Sequence, residues 1–128
     1  MGANAAATVK AFAEAEAYDG PALIIAYSHC IAHGIDMING FEHQKIAVET
    51  GHFPLYRYNP ELKAEGKNPL QLDSKAPTQS IAETALKENR FKQLLKLNPN
   101  GEAMLKQAEG LFKDNYVMLQ NLANMPQS

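Results

Sequence analysis

The sequence predicts an α/β fold that is mostly helical, with one central strand and short edge strands. Three observations carry that expectation. Residues 22–27 form a short, continuously apolar run, Ala22-Leu23-Ile24-Ile25-Ala26-Tyr27, fenced by Pro21 and Ser28; such runs suit strands buried on both faces. Helix-forming stretches lie on both sides of it, and a helix feeding a strand of this kind is the α/β pattern with parallel strands. Between them, residues 53–77 hold Pro54, Pro60, Pro69 and Pro77, which confine any strands there to sheet edges or extended arms.

The elements follow in order. Asn4 is a natural N-cap for an alanine-rich helix over residues 5–17, on which Val9, Phe12 and Ala13 make a narrow apolar face. Tyr18-Asp19-Gly20-Pro21 ends it, Gly20 being free to turn left-handed and Pro21 barring continuation. Ile31, Ile35 and Ile38, spaced by four and three, predict a helix over residues 31–39. Asn39-Gly40 interrupts it, and a further helix over residues 41–50 closes at Gly51. Leu55-Tyr56-Arg57-Tyr58 and Leu70-Gln71-Leu72-Asp73 are candidate short strands inside the proline-rich stretch, which is long for a loop and suits an arm laid across a surface. Ser80-Ile81-Ala82-Glu83 matches a capping box, so a helix starts near Ile81 and runs on through Phe91, Leu94 and Leu95. Asn98-Pro99-Asn100-Gly101 turns the chain into a last helix over residues 102–124, marked on one side by Leu105, Ala108, Phe112, Leu119 and Leu122 and weakened slightly by Gly110.

The apolar run has no companions of its own kind. Its backbone groups would cost about 1–3 kcal/mol each if buried without hydrogen bonds, and the other strand candidates are proline-flanked and half polar. The sequence therefore reads as a central strand without its sheet; a buried helical segment is the alternative that six residues of pattern leave open. In 128 residues, 45% apolar with a net charge of −2, there is core enough for one small domain and no bulk attraction to nucleic acid or anionic membranes. No run is long enough to span a bilayer. Met1-Gly2-Ala3-Asn4-Ala5-Ala6 lacks the marks of a signal peptide or a myristoylation site. The single cysteine, Cys30, excludes an internal disulfide and suits a reducing, cytoplasmic setting.

Cys30 is also the chief candidate site. It follows the apolar run in Tyr27-Ser28-His29-Cys30-Ile31-Ala32-His33-Gly34. In open α/β sheets ligands collect beyond the carboxyl ends of strands, and a following helix N-terminus would favour a thiolate. That places a metal ligand or nucleophile here; a small buried hydrophobe is the plain alternative. His29, Cys30 and His33 also raise a zinc site, but a structural zinc needs four ligands with paired spacing that this stretch lacks. His43 and His52 have no local partners. No nucleophile elbow, phosphate loop or dinucleotide fingerprint occurs. Glu14 and Glu16, two apart, point to different sides of their helix; Lys87, Arg90, Lys92 and Lys96 read as a solvated face; Tyr56, Arg57 and Tyr58 suit an arm packed on a neighbour.

Three blocks, in order, carry a family resemblance. They are residues 17–35, from Ala17-Tyr18-Asp19-Gly20-Pro21 through Tyr27-Ser28-His29-Cys30-Ile31-Ala32-His33-Gly34-Ile35; Pro54-Leu55-Tyr56-Arg57-Tyr58-Asn59-Pro60; and Gly66-Lys67-Asn68-Pro69-Leu70-Gln71-Leu72-Asp73-Ser74-Lys75. The chain resembles the C-terminal region of the pyruvate:ferredoxin (flavodoxin) oxidoreductases over nearly its whole length, more weakly after about Pro77. The resemblance implies an incomplete piece of a parallel-sheet domain that binds thiamine diphosphate: residues 1–52 from that domain, 53–78 an extended arm, 79–128 C-terminal helices. It implies a parent that uses thiamine diphosphate, Mg2+ and [4Fe-4S] clusters to turn pyruvate and coenzyme A into acetyl-CoA and carbon dioxide, passing electrons to ferredoxin or flavodoxin. It implies a large cytoplasmic parent, in this family usually a homodimer. The thiamine motif, Gly-Asp-Gly with a later Asn, is expected upstream, because Asp19-Gly20 follows Tyr18 rather than a glycine. The resemblance also implies that Cys30 takes the place of the fourth thiolate of the cluster nearest the thiamine. A piece of this kind is expected to hold no cofactor and to be inactive alone, with the remainder of the parent and its homodimer mate as partners. The other reading is a stand-alone interaction or assembly protein derived from the same enzyme.

Overall fold

The computed structural model describes residues 4–126. Met1 to Ala3, part of the stretch on which the signal-peptide and myristoylation reading rests, lie outside the described residues. Helices dominate: α1 (Ala5–Ala17), α2 (Gly40–Glu49), α3 (Ile81–Ala85), α4 (Asn89–Leu97) and α5 (Gly101–Asn124), with short 3-10 turns between α1 and α2 and after the first strand. Strands β1 (Tyr56–Tyr58) and β2 (Leu70–Leu72) make a two-stranded antiparallel sheet, Tyr56 opposite Leu72 and Tyr58 opposite Leu70. This is the mostly helical architecture with short edge strands that the sequence predicts.

The central strand is where the structure departs from expectation. Residues 22–27 form neither strand nor helix. The helical alternative is thereby excluded; a strand exists only through hydrogen bonds to a neighbour, and among the described residues 22–26 make no backbone–backbone hydrogen bond. Leu23 is 83% exposed and Ile25 71%.

Other boundaries shift for local reasons. Asn4 caps α1 by accepting from the Ala7 amide at 3.0 Å. Tyr18 then leaves the helix in an extended conformation, so Gly20 is not needed in the left-handed region; the glycines with positive φ are Gly34, Gly51 and Gly66. The apolar face of α1 stays open, with Val9 and Phe12 both exposed. The helix expected over residues 31–39 is instead two 3-10 turns, Ile31–His33 and Met37–Asn39. Gly34 at φ 71° breaks it, and Asp36 caps the second turn by accepting from the Ile38 amide at 3.1 Å. At Gly51, φ 74° ends α2 as expected.

The core is small. Ile46 and Ala47 from α2, Ile81 and Ala85 from α3, and Tyr116 and Leu119 from α5 are its buried apolar residues. Helix α5 is the spine, touching α3, α4 and β2. The proline-rich arm is tied to it at both ends of β2: Asn68 donates to the carbonyls of Leu122 (2.7 Å) and Ala123 (2.9 Å) at the helix terminus, and Tyr116 donates to Ser74 O at 3.4 Å. Arg57 binds the arm to α1, holding Asp73 in a forked pair at 2.7 and 2.8 Å and Glu14 at 2.5 and 2.6 Å. Those two carboxylates hold the Arg57 guanidinium well above its ordinary pKa, the Asp73 bonds contributing most. Glu14 is thus a tether rather than part of a merely solvated face.

Truncating Ile46 to Ala opens a cavity beside α3, and the loss expected is about 2–4 kcal/mol of unfolding free energy. Urea denaturation followed by circular dichroism measures it.

Candidate functional site

Cys30 stands immediately before the first 3-10 turn, in an extended conformation (φ −132°, ψ 130°), half-buried. Its carbonyl accepts from the His33 amide at 3.0 Å, which closes the turn. Only a three-residue turn follows, so no helix N-terminus faces the thiol, contrary to the sequence expectation.

Two clamps fix this turn from opposite sides. On one side, His29 Nδ1 is 3.0 Å from Gln44 Nε2 on α2, and since an amide nitrogen donates, Nδ1 accepts. Gly40, at the start of α2, lies against the same ring: a Cβ there would sit 2.3 Å from His29 Nε2. Glycine is required at that point by close approach rather than by dihedral angle, for Gly40 has an ordinary helical φ of −57°. On the other side, Gly34 O accepts from the Asn89 amide at 3.3 Å, and His33 Nδ1 lies 3.9 Å from Glu88 Oε2.

Glu88 is the electrostatic centre of the site. It is 0% exposed. His43, 2% exposed, places Nε2 at 2.9 Å from Glu88 Oε1, and Arg90 bonds to Oε2. An ionised carboxylate only accepts, so His43 donates from Nε2. His43 Nδ1 is then the one buried side-chain polar atom among the described residues without a hydrogen-bond partner. Glu88 itself is extended (φ −111°, ψ 128°) and separates α3 from α4. The single helix expected from Ile81 through Leu95 is therefore two, because the carboxylate is turned inward to the histidines. Arg90 also lies 4.6 Å over the Phe91 ring, so it is not merely solvated.

An aromatic cluster flanks this centre. The Tyr27 ring lies 5.7 Å from His52 and 5.4 Å from Phe53, and His52 lies 5.1 Å from Phe112. Burial pushes the Tyr27 hydroxyl upward, and the Glu88 charge adds to it against the opposing effect of Arg90. Burial pushes His52 below its ordinary value, partly offset by Glu88. The sequence reading missed these partners of His43 and His52, which lie on separate elements; the one local signal was a Glu88 and Arg90 pair two residues apart within an otherwise helical pattern.

No zinc site forms: among the described residues no group of three or more His, Cys, Asp or Glu is placed to hold a metal. A [4Fe-4S] cluster takes four thiolates, and the chain has one cysteine. The residues present do not fit a whole cluster. No helix of the described residues is long and apolar enough to cross a membrane.

Comparison with known proteins agrees with the family signature. No family model matches the chain. The relatives are pyruvate-oxidising enzymes. The chain is 53% identical over 125 residues to a pyruvate-flavodoxin oxidoreductase of Nostoc sp., covering 97% of the chain and 10% of that enzyme. It is 47% identical over 124 residues to the pyruvate:ferredoxin oxidoreductase of Moorella thermoacetica, covering 96% of the chain and 11% of the enzyme. It is 48% identical over 105 residues to the mitochondrial pyruvate dehydrogenase [NADP(+)] of Euglena gracilis, covering 80% of the chain and 6% of the enzyme. The chain corresponds to a segment of the pyruvate-flavodoxin and pyruvate:ferredoxin oxidoreductase family, spanning about a tenth of the length of such relatives.

Two measurements check the site. Replacing Glu88 by Ala leaves His43 buried without its acceptor and frees Arg90; the expected cost is about 3–5 kcal/mol, with faster alkylation of Cys30 as its turn loosens, and Glu88→Gln is expected to cost less on both counts. His52 supplies a pH dependence. Its proton affinity is lower in the folded chain than the ordinary 6.5, so above that pH it contributes nothing. As pH falls through 6.5 the unfolded chain takes the proton first, and stability declines until the folded value is passed. Denaturation across this range, repeated on His52→Gln, is expected to show a shallower decline in the variant.

Proposed function

We infer that this chain serves as one part of a thiamine diphosphate-dependent, iron–sulfur 2-oxo acid oxidoreductase and has no turnover alone. The parent reaction in this reading joins pyruvate and coenzyme A to give acetyl-CoA and carbon dioxide, the two electrons leaving to a carrier. The observation that carries it is the 53% identity over 97% of the chain with a relative ten times its length. Pyruvate is common to the names of the three enzymes compared, whereas the acceptor differs: flavodoxin, ferredoxin or NADP(+). Substrate identity is thus the firmer part of the inheritance, and acceptor choice belongs to portions of the parent beyond this segment. A lone unpaired cysteine supports a reducing, cytoplasmic setting.

Within that reading Cys30 is one of four thiolates of a [4Fe-4S] cluster, the other three coming from elsewhere in the parent, where the thiamine diphosphate and Mg2+ are also held. What supports the role is a thiol on a turn held by the His29–Gln44 hydrogen bond to α2 and the Gly34–Asn89 hydrogen bond to α4. A fixed backbone around the thiol is what one ligand of a shared cluster requires. This chain's own contribution is to orient that sulfur; the cluster, when bound, supplies single-electron transfer.

The test has two readouts. The isolated chain, given pyruvate, coenzyme A, thiamine diphosphate and an electron acceptor, is expected to show no turnover; activity there overturns the claim of inactivity. Coproduced with the complementary portion of the Nostoc relative, it is expected to restore pyruvate oxidation. In that assembly Cys30→Ser should lower bound iron by about four atoms per site, and unchanged iron overturns the ligand assignment.

A further inference from the structure

Tyr27 is the point at which an exposed run meets the folded part of the chain. Ala22, Leu23, Ile25 and Ala26 are exposed, whereas Tyr27 is half-buried. Its ring stands at 61° to His52 and is tilted at 37° to Phe53, the kinds of arrangement that aromatic pairs prefer over a face-to-face stack. Other parts of the chain fix the platform beneath it. The Phe53 amide donates to Ala47 O at 2.9 Å, which ties the platform to α2. His52 rests on Phe112 of α5 at 5.1 Å. Just before them Gly51 packs so closely on Pro77 that a Cβ there would sit 2.7 Å from Pro77 Cγ.

Two residues beyond Tyr27, His29 is held separately, by Gln44 of α2. Ser28, between the two rings, is exposed, and His29 is half-buried. Such alternation at successive residues belongs to an extended chain, and Cys30, next in line, is itself extended. An anchor at His29 alone fixes the place of the backbone but leaves it free to swing about that point. A second anchor two residues earlier fixes its direction.

We propose that Tyr27 is a positioning residue for the Cys30 thiol: its ring, seated on His52 and Phe53, joins His29 in setting the face of the chain from which the sulfur projects, opposite to the two rings. The thiol is thereby insulated from motion in residues 22–26, which make no backbone–backbone hydrogen bond among the described residues. The role belongs to the ring contacts rather than to the hydroxyl. Its effect on the thiol stands on this chain alone; its consequence for a shared cluster rests on the reading of Cys30 as one of four thiolates.

Cys30 is the sole cysteine of the chain, so alkylation by iodoacetamide reports on this thiol only. In the full chain, Tyr27→Ala removes two ring pairs and is expected to speed alkylation roughly tenfold, while Tyr27→Phe stays close to the unaltered rate. Hydrogen exchange at the Ile46 and Ala47 amides of α2 is expected to be the same in all three chains. If Tyr27→Ala reacts at the unaltered rate, or Tyr27→Phe reacts as fast as Tyr27→Ala, the positioning role is overturned. If the α2 amides speed up in step with the thiol, Tyr27 supports the whole fold and the role is overturned as well. Each chain is then coproduced with the complementary portion of the Nostoc relative. Tyr27→Phe is expected to keep the bound iron and the electron paramagnetic resonance spectrum of the reduced assembly, and Tyr27→Ala to lose iron or broaden that spectrum. Iron and spectrum both unchanged in Tyr27→Ala overturn the consequence for the cluster. An unaltered assembly that holds no iron overturns the family reading instead, and alkylation of the chain alone still decides the role of Tyr27.

Discussion

A single buried carboxylate organises the centre of this chain. Glu88 is removed from water, and an ion of its size loses several kcal/mol of hydration in such a place unless its oxygens are well bonded. His43 meets one oxygen and Arg90 the other, with His33 just beyond bonding distance. Meeting that requirement interrupts the helix: the residue stays extended, α3 stops after five residues, and α4 starts at Asn89. The Asn89 amide, freed at the start of α4, is what Gly34 O accepts from. The break in the helix and the fixing of the Cys30 turn are thus consequences of one burial.

The rest of the chain leans on polar tethers because its apolar core is slight. Among the described residues six buried apolar side chains from three helices make a slight core, and small cores leave little margin over conformational entropy. The arm is held by Asn68 against the last carbonyls of α5, groups that a helix end otherwise leaves unsatisfied. Arg57 joins the arm to α1, with Asp73 as a forked partner. Such pairs near the surface are individually weak. They define how the arm lies more than they stabilise it.

What was legible in the sequence was whatever depends on neighbours in the chain. Asn4, Ser80 and Gly51 end or begin helices through contacts within a few residues, and they do so here. The two edge strands were marked by their flanking prolines and pair as a hairpin-like ladder. What was not legible depends on distance. Ile31, Ile35 and Ile38 have helical spacing, but Gly34 is drawn into a left-handed turn by its contact with Asn89, far along the chain. His43 finds Glu88 across 45 residues and His29 finds Gln44 across 15; no local pattern encodes either. The run at residues 22–27 is a third kind of case. Its composition reads as that of a two-sided strand, yet composition cannot create a ladder, and among the described residues 22–26 make no backbone–backbone hydrogen bond.

Cys30 lies where these two regimes meet. Toward the C-terminus its turn is held by residues of α2 and α4 that this chain folds and packs for itself. Toward the N-terminus it follows a run in which Ala22, Leu23, Ile25 and Ala26 are exposed. A thiol at such a boundary has one half of its surroundings fixed in advance and the other half completed only on assembly. A shared cluster would make the same demand, since one ligand must be rigid while the others arrive on different polypeptide segments. The clamps on His29 and Gly34 confer rigidity before assembly, so that the cost of ordering the turn is already met when the uncovered run is enclosed.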